Sequence, residues 1–82
     1  MTPLDSSVQA MIIDALSQVS SKKVDSLYEE QAIASLGLDS ITVMEMVGVL
    51  EDKTAHRFSD EEMARVETFG DLSALIRPFI KS

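Results

Sequence analysis

Apolar residues in this chain return every three or four positions and show no sustained alternation in steps of two. Val8, Met11, Ile12, Ala15, Leu16 and Val19 make the first such stripe, and a helix of 3.6 residues per turn gathers them on one side. The same period governs two later stretches, so the fold class is all-α. A chain of 82 residues, 45% of them apolar, is expected to make one small domain, 1–82, burying only ~60–65% of its unfolded surface. With no cysteine, neither a disulfide nor a protein thiolate is available. Helix packing has to supply the stability.

The spacing predicts a small four-helix bundle. The first helix runs from about Asp5 to Val19, with Asp5, Ser6 or Ser7 as its N-cap, and "SSKKVDS" ends it in polar residues. A long connection comes next, Ser20 to Asp39, with Val24, Leu27, Tyr28, Ile33, Leu36 and Leu38 as apolar anchors. So long a segment in a compact domain is expected to be pinned to the core, and Gly37 offers a backbone able to turn. The second helix is expected from Ser40 to about His56. A short third begins at "SDEE", where Ser59 and Glu62 have capping-box spacing. The fourth begins near Thr68, with Asp71 three residues on and Phe69, Leu72, Leu75, Ile76 and Phe79 as its buried stripe. Pro78 should end or kink it.

Fourteen acidic against seven basic side chains give a formal charge of −7. Such a surface repels nucleic acid and anionic lipid and steers basic partners toward it; it also serves simply for solubility. No segment is long and apolar enough to cross a membrane, and "MTPLDSSVQA" has neither the basic start nor the apolar run of a signal peptide. The expectation is a cytoplasmic monomer that binds neither nucleic acid nor membrane. The opening Met1 and the short ends read as a discrete protein, although an excised piece would look the same.

The second helix has two apolar faces. At ~100° per residue, Val43, Met46, Val47, Leu50 and Thr54 fall within about 100° of arc, the width of a core stripe. Ile41, Met44 and Gly48 cluster within about 60° on the other side. Glu45 and Asp52 lie beside that cluster, and Glu51 flanks it from the other direction. An apolar patch rimmed by acid fits a partner surface. The alternative is that Ile41 or Met44 tucks under the long connection as core.

Ser40 stands at the head of this helix, and a serine there commonly caps, worth ~1 kcal/mol. Asp39 can cap equally well, which would leave the Ser40 hydroxyl free at the positive end of the helix dipole, where a phosphate ester is favoured by ~0.3–1 kcal/mol. A catalytic serine needs a base within reach. The one histidine, His56, lies ~24 Å along the same expected helix and ~160° around it, and the "G-x-S-x-G" elbow is absent. Self-contained catalysis is therefore not expected, and His56 reads as an exposed residue near a helix end. Asp52 and His56 at i,i+4 make a poor metal site, so no metal is expected.

Four stretches taken together, "LGLDSI", "TVMEMVGVLED", "SDEE" and "ETFGDLSALI", resemble the acyl carrier proteins. The resemblance runs from the first helix through Ile76. "D-S-[L/I]" alone says little, but after Leu-Gly, near the middle of an acidic four-helix pattern, it is specific. It implies that Ser40, next to Asp39, bears a 4'-phosphopantetheine arm transferred from coenzyme A by a phosphopantetheinyl transferase, and that the arm's thiol holds acyl groups as thioesters. It implies docking of acyltransferase, ketosynthase or other acyl-processing enzymes on the second helix. Ile41 and Met44 would give the apolar contact there, beside Gly48, and Asp39, Glu45, Glu51 and Asp52 the acidic one.

The chain departs from the fatty-acid type at several points. Thr42 stands where an acid is usual, Lys53 interrupts the acidic tract, Thr54 occupies a position often aromatic, and Ala34 and Ser35 replace acids before the motif. These changes point to a specialised, polyketide-like pathway, with fatty-acid synthesis as the alternative. Asp39 argues mildly against the peptidyl-carrier type, which more often has another residue before the serine, and a peptidyl or aryl carrier stays an alternative. The competing reading from another class is an unmodified acidic adaptor that binds a basic helix, with Ser40 only a cap.

Overall fold

The Asp5 carboxylate accepts the Ser7 N–H at 3.0 Å and starts the first helix, α1, Ser6–Val19. The computed structural model describes residues 1–21 and 23–80, so Lys22, in the polar run after α1, lies outside the described residues. Three further α-helices complete the set: α2, Ser40–Thr54; α3, Asp60–Ala64; and α4, Phe69–Ile76. No strand forms among the described residues.

The core is built where the periodicity places it. Val8, Ile12, Ala15 and Leu16 of α1 meet Met46, Val47 and Leu50 of α2 and Phe69, Leu72 and Ile76 of α4. Each fully buried large side chain contributes ~1.5–3 kcal/mol over leaving it in water. Val43 packs against this cluster but stays half-buried. Both expected capping boxes form. Ser59 Oγ accepts the Glu62 N–H at 3.1 Å while Glu62 Oε1 accepts that of Ser59 at 3.0 Å, and Thr68 with Asp71 repeats the exchange at 3.1 Å each way.

The long connection is pinned at both of its faces. Leu27 is fully buried, its N–H donates to Gln9 Oε1 at 2.9 Å, and its carbonyl accepts the Leu4 N–H at 3.2 Å. Further along, Gly70 donates to the Glu29 carbonyl, Phe69 to that of Gln31, and Ile33 to that of Glu67, all at 2.9–3.0 Å. A Cβ on Gly70 would sit 2.8 Å from the Glu29 oxygen, so this close approach requires glycine. A 3-10 turn, Ile33–Leu36, then ends at Gly37 with φ 71°.

Three expectations need correction. α2 stops at Thr54, two residues short of His56, because the chain turns left-handed at Ala55, φ 55°. Such a conformation costs a residue with a Cβ about 1–2 kcal/mol. The corner that Ala55 makes offsets this cost: it brings Phe58 into the core, where the Phe58 N–H donates to Glu51 Oε2 at 2.8 Å. Phe79 is not part of the buried stripe. Past Ile76 the chain enters a 3-10 turn, Arg77–Phe79, containing Pro78, and Phe79 stays 38% exposed. His56 is half-buried rather than exposed, since its ring stacks on Phe79 at 4.0 Å with Phe58 edge-on at 5.3 Å.

Candidate functional site at the head of the second helix

Gly37 turns the chain, half-buried Leu38 anchors it, and Asp39 in extended geometry (φ −79°, ψ 169°) caps α2. Asp39 Oδ1 accepts the Thr42 N–H at 2.7 Å. That hydrogen bond holds the Asp39 carboxyl below the usual carboxylate range, so it remains an anion. Ser40 is the first helical residue and is exposed. No hydrogen bond ties its hydroxyl to the other described residues.

Beside Ser40 opens a groove of about 810 Å³ between α2, α3 and the connection. Its apolar wall includes Leu38, Val43, Val47, Phe58, Met63 and Val66. The last three were not singled out from sequence. Their signal was present, since Met63 and Val66 are spaced by three and Phe58 is apolar immediately before "SDEE". α3 contributes no buried residue, which leaves its inner side to line this space.

The solvent side of α2 carries the remaining residues, of which Met44 and Glu51 also border the groove. Ile41 is 67% and Met44 73% exposed, so neither tucks under the connection. Glu45 and Asp52 are exposed beside them, and Gly48 lies between these two acids, one turn from each. Glu51 is half-buried, with one carboxylate oxygen held by the Phe58 N–H. Lys53, the cation within the acidic tract, pairs with Asp14 of α1. That charge is thereby partly neutralised at the α1 side. His56 sits past the far end of α2 from Ser40, about 20 Å of helix away, and so supplies no base to the hydroxyl. Among the described residues no three His, Asp or Glu side chains gather to hold a metal, and no helix is long and apolar enough to cross a membrane.

Ser40 thus presents a solvent-facing hydroxyl at a helix head, beside a neighbour that holds the cap and an apolar groove. Residues 6–76 match the family described as phosphopantetheine attachment site. The chain belongs to the phosphopantetheine-binding acyl carrier proteins. It is 38% identical over 64 residues to an acyl carrier protein of Exiguobacterium sp., covering 77% of this chain and 81% of that one. It is 36% identical over 70 residues to an acyl carrier protein of Helicobacter hepaticus, covering 85% and 88%. A third similarity, 32% over 68 residues, is to the non-reducing polyketide synthase tazA of Aspergillus terreus; it covers 83% of this chain but only 3% of that synthase. No solved structure matches.

The protein thus carries acyl intermediates on 4'-phosphopantetheine, as its family does, and works with acyl-processing enzymes. The unmodified adaptor is not favoured.

Proposed function

We propose that Ser40 bears the arm and that the chain serves other enzymes as a cosubstrate, in the cytoplasm, rather than catalysing a reaction itself. The observation that supports this most is the division of labour at the head of α2: Asp39 holds the cap and the adjacent hydroxyl faces solvent. When bound, the arm supplies the terminal thiol on which acyl groups are held. The chain's own residues do the rest. The N-terminal amides of α2 favour the negative charge of a phosphodiester at Ser40. The groove past Val43, Val47 and Met63 offers an apolar acyl chain shelter from water.

Phosphopantetheinyl transferase, and then acyltransferase, ketosynthase or other acyl-processing enzymes, would dock on α2. Ile41 and Met44 give the apolar contact, and Asp39, Glu45, Glu51 and Asp52 attract a basic surface. Thr42 and the tethered Lys53 lighten the acidity of that face, and the similarity to a segment of a polyketide synthase supports a polyketide-like pathway over fatty-acid synthesis. Incubation with coenzyme A, magnesium and a broad-specificity phosphopantetheinyl transferase tests the central statement. The intact mass is expected to rise by one arm, on a peptide containing Ser40. An arm on any other residue would overturn the assignment.

A further inference from the structure

Gly48 lies in the interior of the fifteen-residue helix α2, where glycine destabilises relative to alanine because it loses the most backbone freedom. Glycine is usually kept in such a place for one of two reasons, and neither applies. Its φ is not positive, unlike that of Gly37. A Cβ built on it meets nothing within 4 Å, in contrast to Gly70. The fold of the free protein gives no use for this glycine.

Its surroundings do. Gly48 is on the same face as Ile41 and Met44, two of the most exposed large apolar side chains, and the exposed acids Glu45 and Asp52 stand on either side of it along the helix. Ser40 is ~12 Å away by helical rise, inside the footprint of ~800 Å² that a protein of ordinary interface size covers. An enzyme that places its active site over Ser40 therefore extends over Gly48. We infer that Gly48 is a notch that admits a basic side chain of the phosphopantetheinyl transferase, whose stem lies against the bare α2 backbone and whose charge sits between Glu45 and Asp52. A long cationic side chain is suited to this, with an apolar stem and a charged tip. The inference rests on the reading that α2 is the docking face, and makes Gly48 a specificity-determining position within it.

Gly48→Ala and Gly48→Met, assayed with coenzyme A, magnesium and the same broad-specificity phosphopantetheinyl transferase, test it. Gly48→Ala is expected to raise the thermal midpoint by about 3–6 °C and yet to raise the KM for the carrier about fivefold, because a methyl group intrudes into a packed contact. Gly48→Met is expected to raise KM further, with kcat little changed. Wild-type KM for both variants, or a lowered midpoint for Gly48→Ala, overturns the notch. Glu45→Lys and Asp52→Lys separate the two levels. If they raise KM while the Gly48 variants do not, the notch falls and the docking face stands; if none of the four changes KM, both fall.

Discussion

The Asp39 carboxylate accepts the Thr42 N–H at 2.7 Å, and Ser40, its immediate neighbour, takes no part in that cap. Two polar residues that compete for one role in the sequence are thereby separated into a structural one and a free one. Ser40→Ala is expected to unfold within ~0.5 kcal/mol of the wild type while arm attachment is lost completely. Asp39→Ala removes the cap and is expected to cost ~1 kcal/mol. Denaturation midpoints and intact mass for the two variants check this, and any loading of Ser40→Ala would contradict the assignment.

Met44 and Met46 are two residues apart with opposite surroundings, 73% and 0% exposed. Met44→Ala is expected to change stability by no more than ~0.5 kcal/mol and to weaken transfer to a partner, since interface energy concentrates in central apolar contacts. Met46→Ala leaves a cavity among Ile12, Leu50 and their neighbours and is expected to cost ~2–5 kcal/mol. In a domain whose total stability is of order 5 kcal/mol, that loss approaches outright unfolding. Equal losses in urea titrations would refute the two-faced helix.

Gly70→Ala is expected to destabilise by ~1–3 kcal/mol, because the new methyl group meets the Glu29 carbonyl at 2.8 Å, a backbone atom that cannot swing away. The opposite sign is expected for the same substitution at Gly48. Thermal melts of the two alanine variants compare them directly.

Asp71 Oδ2 accepts the N–H groups of Glu67 and Thr68, at 3.0 and 3.1 Å, and the first of these is the main reason its carboxyl lies below the ordinary range. A native pKa below the unfolded one means that the unfolded chain binds the proton more tightly. The contribution of Asp71 is then complete above the unfolded value, about 4, and disappears as pH falls through the lowered native one. The wild type is expected to exceed Asp71→Ala in stability at neutral pH, with the gap closing below pH ~4. A gap that stayed constant to pH ~2 would show that the carboxylate charge is not what matters.

Much of this was legible in the residues. Both capping boxes, the core stripe of α2 and its exposed counterface come from local spacing, and such signals survive because each concerns atoms within one or two turns. Ser40 and Asp39 were readable as a pair, although only the geometry shows which of them caps. The misread positions depend on distant partners. Ala55 turns left-handed without glycine because Phe58 and Glu51 close the corner behind it. His56 and Phe79 stack across twenty-three positions of sequence, which no period can announce. The groove needs three segments to exist at all, so the local spacing of Met63 and Val66 and the place of Phe58 before "SDEE" mark them as apolar anchors but not as its wall.

The segment from Leu27 to Ile33 is hydrogen-bonded on one side to Thr2–Leu4 and on the other to residues 67–70. It therefore joins the residues before α1 to the start of α4, and the amides of Leu4, Glu29, Ile33, Phe69 and Gly70 belong to a single opening event rather than to three separate loops. In hydrogen exchange they are expected to be released together, at one free energy. The far end of the groove from Ser40 then behaves as a clasp: Ile33 is fastened there to Glu67, just ahead of α4, while α3, which has no fully buried residue, forms the wall that can shift to admit cargo.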